Sequence, residues 1–380
     1  MGKLESLQVG RGAAVLSVLL FHLLGMSVQY QHGYFAYPWI EVLRAGVDVF
    51  FVISGVVMVA TTYRTFGQGG AGKRFLIHRV SRIYPPYLFL TAILTVLWLV
   101  RPDAVNSKTG VDLFSSYTLW PQVDGFPLLQ VGWTLSYEMM FYLVFIGMIV
   151  YVKKHRLPIA LMLWSFAIIA GCTAIALDSS GTIVTVFPRA KFLFSPYVLE
   201  FVAGCFIGLC SMKVKLTAGR VSTIVAVILF IVEAAVFEAT NFDGNRRPQV
   251  LRVLLYGPPA ALLIYGLVAW ERETQRLNAP RWIVRCGDIS YSIYLVHLLV
   301  IHFAYRYFWH LFDPSGLRPL FLVVTTGAAI AASVAFYTLA EGPFSRWTRT
   351  RLEGIFKVPP RMAMTPSSVT ASNSPITIES

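Results

Sequence analysis

Charge is what this sequence has least of. Only 13% of its 380 residues are Asp, Glu, Lys or Arg, about half the roughly 25% of an average soluble domain. Acidic residues are the scarcer kind, 19 against 32 Lys and Arg, for a net charge of +13. Cysteine is also rare: Cys172, Cys205, Cys210 and Cys286 lie in or beside apolar runs. Without ligand spacing they exclude a zinc site and a disulfide framework and are expected to pack in the core, and no metal is predicted. Signatures of soluble enzymes are missing as well. There is no G-x-S-x-G elbow, and none of the seven histidines is followed at the fourth or fifth position by Asp. The loop Phe66 to Phe75, FGQGGAGKRF, has the Gly67, Gly72 and Lys73 of a phosphate-binding loop, but Arg74 stands where Ser or Thr is required. No strand precedes it, so a flexible basic loop is the better reading.

What is present is apolar sequence in long runs. Hydrophobic residues make up 56% of the chain. Ten runs approach the roughly 20 residues a bilayer requires: about 8–28, 46–62, 83–101, 128–152, 158–177, 194–212, 220–238, 250–270, 289–308 and 319–340. The expected fold is therefore all-α, a polytopic membrane protein of about ten transmembrane helices. The first run resembles a signal peptide, with Lys3 before it, but Arg11 and His22 interrupt it and no clean cleavage pattern follows, so it is read as a retained span. With the N-terminus inside, the cytoplasmic segments hold 22 of the 32 Lys and Arg, which is the bias that sets orientation. Both termini are then cytoplasmic. The bias also explains the net charge without nucleic acid, because a basic inner face complements anionic lipid. Residues 1–345 form the membrane domain, and 346–380 a tail, basic and then rich in Ser, Thr and Pro, expected to be disordered.

Polar residues inside those runs are the functional candidates, since ionisable groups at membrane depth are costly. Arg11 and His22 share one helix, and eleven residues advance about 16 Å and return to nearly the same face. Asp48 stands at the external mouth of the second span, with Ser54 and Gly55 in its middle. Arg79 and Arg82 precede the third span three residues apart, on one face, where they can fork onto phosphate oxygens. Glu138 enters the fourth span from outside to about 10 Å, a depth similar to that of His22. A carboxylate there can orient the imidazole and raise its basicity. Ser290, Tyr294 and His297 fall at i, i+4 and i+7 of the ninth span, one polar stripe that can line a substrate path. By depth His297 is the rival catalytic histidine. Glu200 and Glu341 are further carboxylates, the latter a candidate partner for Arg346, and Asp103, Asp112, Asp124, Asp243 and Arg246 are polar candidates in external loops.

Seven blocks in order resemble the integral-membrane acyltransferase-3 family, particularly bacterial exopolysaccharide O-acetyltransferases. They are LESLQVGRGAAVLSVLLFH, GVDVFFVISG, HRVSRIYPPY, GWTLSYEMMFY, LEFVAGCFIG, GDISYSIYLVH and AEGP, from about residue 4 to 345. The resemblance implies ten membrane helices in a bacterial cytoplasmic (inner) membrane and acyl-CoA-dependent O-acylation of a carbohydrate or lipid-linked glycan. By motif, Arg11 and His22 match the family's essential pair, and Arg79 with Arg82 its cytoplasmic arginine motif. Acetyl-CoA is then the expected donor, its phosphates on Arg11, Arg79 and Arg82. His22 acts as general base oriented by Glu138, or as the nucleophile of an acetyl-imidazole intermediate. Two other classes stay open at this point: a transporter or flippase for lipid-linked sugar, and a structural subunit in which Arg11 and His22 are polar glue.

Overall fold

The computed structural model describes residues 4–30, 37–102, 111–122, 127–244, 248–312 and 316–357. Among these residues there is no strand. The principal helices are α1 (Glu5–Gly25), α2 (Ala45–Thr62), α3 (Ala71–Val100), α4 (Gly132–Tyr151), α5 (Leu157–Leu177) and α6 (Tyr197–Lys213). They are followed by α7 (Gly219–Thr240), α8 (Gln249–Thr274), α9 (Arg281–Asp288), α10 (Ser290–Tyr307), α11 (Arg318–Phe336) and α12 (Gly342–Ile355). Among the described residues, nine helical stretches are long and apolar enough to cross a membrane, and ten if α9 and α10, bent by 80°, count as one broken span. Each of the ten runs read from hydropathy falls on one of these.

Burial sorts the helices into a centre and a rim. The span containing α2 is 67% buried and that containing α6 is 61%, whereas those containing α5 and α7 are each 11%. Side chains such as Leu163, Phe166 and Ile231 stand exposed on the rim helices, the surface lipid would cover. At the centre α2 and α6 touch backbone to backbone. A Cβ on Gly55 would overlap the carbonyl oxygen of Phe201, and one on Gly204 would overlap that of Val52. With hydrocarbon all around, close approach through small residues is the main source of helix–helix attraction.

Two boundaries differ from the sequence reading. The third helix starts at Ala71, so Lys73, Arg74, Arg79 and Arg82 lie inside it and not before it. Its Pro85 and Pro86 supply no N–H, so the carbonyls of Ser81 and Arg82 lose their usual donors one turn on. Residues 346–355, assigned to the tail, continue as helix in α12. That helix is held on α3, with His78 Nε2 3.4 Å from Glu353 Oε1 and Lys73 over the Phe356 ring. Residues 358–380, Lys3, Asp103, Asp124 and Arg246 lie outside the described residues. Asp112 caps the short helix Leu113–Thr118 by accepting from the Ser115 N–H at 3.0 Å and from the Ser115 hydroxyl. Those hydrogen bonds hold its carboxyl below the usual range. All four cysteines are free thiols, with Cys205 buried but Cys210 exposed, so core packing does not describe every one.

Candidate active site

The site is assembled from α1, α2, α3, α4 and α10. The first turn of α1 has no side-chain cap of its own. Glu271, from the far end of α8, accepts the backbone N–H groups of Glu5 and Ser6 at 2.8 and 2.9 Å, and also the Ser6 hydroxyl. A carboxylate there satisfies orphan donors and complements the helix dipole. One turn on, a Cβ at Gly12 would overlap the carbonyl oxygen of Ile283, so α9 lies directly on α1. The bend after α9 then delivers Ser290, the first residue of α10, to Arg11. Arg11 Nε donates to Ser290 Oγ at 3.1 Å.

Two cavities follow one another along these helices. The first, about 790 Å³, is lined by Arg11, Arg79, Arg82, Glu138, Tyr142 and Ser54, with Ser290 and Tyr291 on its α10 wall. Arg79 is clamped between rings, 5.2 Å from the Phe75 centroid and 5.3 Å from that of Tyr142. Arg82 has no hydrogen bond or salt bridge among the described residues. Glu138 accepts from Ser54 Oγ at 3.2 Å and from the Tyr142 hydroxyl, and among the described residues it forms no ion pair with the three arginines. Three guanidiniums against one carboxylate leave an excess of positive charge in a partly desolvated space. Such a space suits a phosphorylated ligand, which planar guanidinium groups bind in bidentate fashion.

The second cavity, about 660 Å³, is lined by His22, Arg44, Gln130, Trp133 and Arg252. Its arginines are already matched: Arg44 NH1 lies 3.0 Å from Glu41, and Arg252 NH2 lies 2.8 Å from Asp48. An indole, an amide and paired charges are what a hydroxyl-rich ligand of low charge requires. Val47 and Tyr294 line both cavities and form their common wall.

His22 has its tautomer set by geometry. Its Nδ1 lies 2.9 Å from Val18 O, and His297 Nδ1 lies 2.9 Å from Ile293 O. A carbonyl oxygen only accepts, so each Nδ1 carries the proton. His297 Nε2 therefore has a lone pair, and it lies 3.2 Å from His22 Nδ1, whose N–H it shares with Val18 O. The unprotonated nitrogen of His22 is then Nε2, the arrangement a general base or nucleophile needs.

Several sequence expectations are repositioned by this geometry. Glu138 does not orient His22: the two line different cavities, and the ring partner of His22 is His297. Equal depth says nothing about which way two side chains face, and Glu138 turns toward Ser54 and Tyr142. Ser290 and Tyr294 do line the first cavity, and His297 backs His22. Asp48 is fully buried against Arg252 and lines neither of the two cavities. Glu341 accepts from Ser292, not from Arg346. Glu200 is buried against the carboxyl of Asp48. Arg252 and Tyr142 were missed. The signals were present, a lone cation just inside the eighth run for Asp48 to meet and a tyrosine four residues after Glu138, one helical turn away.

A family model described as an acyltransferase domain matches residues 4–338. Among curated proteins, the exopolysaccharide production protein ExoZ of Rhizobium meliloti (strain 1021) is 32% identical over 331 residues, 81% of this chain and 91% of that protein. A Staphylococcus aureus (strain COL) protein named "putative O-acetyltransferase" is 24% identical over 367 residues, 88% of this chain and 56% of that protein. A Bacillus subtilis (strain 168) protein named "putative peptidoglycan O-acetyltransferase" is 24% identical over 333 residues, 79% of this chain and 50% of that protein. The chain thus spans about half the length of the latter two. No solved structure matches.

Proposed function

Since the chain belongs to the acyltransferase-3 family of membrane acyltransferases, we propose that it transfers an acetyl group from cytoplasmic acetyl-CoA to a hydroxyl of an exported carbohydrate, an exopolysaccharide or its lipid-linked precursor. The observation that carries this reading is the pair of cavities with a common wall, one with surplus guanidinium charge and the other with an imidazole lone pair. The donor set fits a coenzyme that carries several phosphate charges on one end and a thioester on the other. Arg11, Arg79 and Arg82 hold the phosphates, and the arginine cavity opens to the cytoplasm of a bacterial inner membrane.

The acyl donor supplies a carbonyl already activated as a thioester. His22 Nε2 accepts the proton of the acceptor hydroxyl as its oxygen bonds to that carbonyl carbon. The carbon–sulfur bond breaks, and His22 returns the proton to the leaving thiolate, so the products are an ester and a free thiol. On the other side Trp133 gives a sugar a ring to lie on and Gln130 an amide to bind. The name of the Rhizobium relative, an exopolysaccharide production protein, supports a carbohydrate acceptor.

The test compares the acetyl content of surface polysaccharide from cells with the intact protein, with none, and with His22→Ala at matched membrane abundance. The proposal expects acetyl esters to disappear in the last two with polymer yield unchanged. Normal acetylation with less polymer exported would replace it with a transport role.

A further inference from the structure

The two cavities share only Val47 and Tyr294 among their lining residues. On each of four helices, residues toward one end line the arginine cavity and residues toward the other end line the His22 cavity. The division falls between Arg11 and Val18 on α1, at Val47 on α2, between Trp133 and Thr134 on α4, and at Tyr294 on α10. A phosphate-anchored donor and His22 are therefore on opposite sides of a partition made by two side chains, each less than a tenth exposed. We propose that Val47 and Tyr294 form the constriction through which the acyl group reaches His22, and that this constriction restricts the donor to acetyl. The inference rests on the acyl-transfer reading above and adds which side chains limit the length of the acyl group.

The partition is stiff where it would have to yield. The Tyr294 hydroxyl is tied to Thr134 Oγ1 at 2.7 Å and donates to Val131 O at 3.2 Å. Its ring is held between Phe50, at a centroid separation of 6.1 Å, and His297, at 5.9 Å. Val47 is β-branched and helical, so it has essentially one χ1 well. Neither side chain swings aside as a methionine would. The terminal methyl of an acetyl group is the smallest load that can be placed against such a wall. Each further methylene must occupy space that Val47 and the Tyr294 ring already fill, and close-packed interiors resist even one added methylene. The chemistry is that of the main reaction: the carbon–sulfur bond breaks, the ester bond forms, and the hydroxyl proton passes through His22 to the thiolate.

Membrane vesicles from cells expressing the protein are supplied with acetyl-, propionyl- or butyryl-CoA, and the ester-linked acyl groups on the polysaccharide fraction are measured by mass spectrometry. Val47→Ala removes two methyl groups from the wall, Tyr294→Phe unties the ring without shrinking it, and Val47→Ile narrows the passage. The intact protein is expected to use acetyl-CoA at least tenfold faster than butyryl-CoA. Val47→Ala is expected to raise the butyryl-to-acetyl ratio at least tenfold, Tyr294→Phe to raise it severalfold, and Val47→Ile to lower acetyl transfer itself while the protein still elutes folded in detergent. An unchanged ratio in both Val47→Ala and Tyr294→Phe, with acetyl transfer retained, would overturn the constriction and leave the acyltransferase reading standing. Transfer of none of the three acyl groups by the intact protein would overturn the reading beneath it.

Discussion

At the scale of single residues, the arrangement around His22 separates a base from the group that holds it. His22 Nε2 is the free lone pair because Nδ1 is committed to Val18 O and His297. On the proposed mechanism, replacing His22 by Ala removes the general base, and a positioned general base contributes about 10²–10⁴ in rate. Replacing His297 by Ala removes only an acceptor, and one net hydrogen bond of about 1 kcal/mol corresponds to roughly a fivefold to tenfold loss. The expected result is a drop of that size in kcat with KM for the acyl donor unchanged. His297→Gln, whose amide oxygen can still accept from Nδ1, is expected to recover most of it; a steady-state titration with acetyl-CoA reads both. A loss in His297→Ala as deep as in His22→Ala would make His297 a reacting group. The sequence made Arg11 and His22 legible because eleven residues bring a helix back to one face. It did not make His297 legible as the neighbour of His22, since which helix faces which is a tertiary fact. Depth alone suggested Glu138 in that place. The same gap hid the pairing of Asp48 with Arg252, two residues 204 apart in the chain.

At the scale of helices, composition located the spans but misplaced the ends where charge and helix coexist. Residues 71–82 carry two Arg beyond Lys73 and Arg74, which lowers hydropathy without disfavouring helix, because Lys and Arg are good helix formers. The start of α3 was lost for that reason, as were residues 346–355 of the amphipathic α12. The crossing of α2 and α6 makes a prediction of its own. A Cβ at Gly55 or Gly204 meets backbone, which has no rotamer to move. Overpacking of this sort costs about 1–3 kcal/mol or more. Gly55→Ala is therefore expected to lower the melting temperature in detergent by several degrees and to reduce the yield of monodisperse protein. Gly147→Ala, in α4, has nothing within 4 Å of its new Cβ. It is expected to leave melting unchanged or slightly raised, as alanine is the better helix former. Melting followed by size-exclusion chromatography compares the two directly, and equal stability of both variants would mean the α2–α6 contact is looser than described.

At the scale of the whole molecule, function depends on which cavity faces which compartment. The arginine cavity, the N-terminus of α1, the C-terminal end of α8 and the basic helix α12 all lie at one end, and His22, Arg44 and the C-terminal end of α7 lie at the other. Excess Lys and Arg marks the cytoplasmic side of a membrane protein, and Arg346, Arg349 and Arg351 of α12 add to Arg272, Arg276, Lys213 and Lys215 at the arginine end. The proposed function therefore expects the arginine cavity to face inside, where acetyl-CoA is made, and the His22 cavity to face outside, where glycan is assembled or displayed. Two exposed threonines test it with matched chemistry: Thr240, the last residue of α7, and Thr274, the last residue of α8. With the four native cysteines replaced, Thr240→Cys is expected to react with a membrane-impermeant maleimide on intact spheroplasts, and Thr274→Cys only after lysis. The reverse pattern would put the arginine cavity outside, away from any cytoplasmic coenzyme. It would remove acetyl-CoA as the donor even if His22 proved essential. Because both are exposed threonines at the C-terminal end of a helix, and lysis leaves each site's local surroundings unchanged, labelling before and after lysis reports orientation.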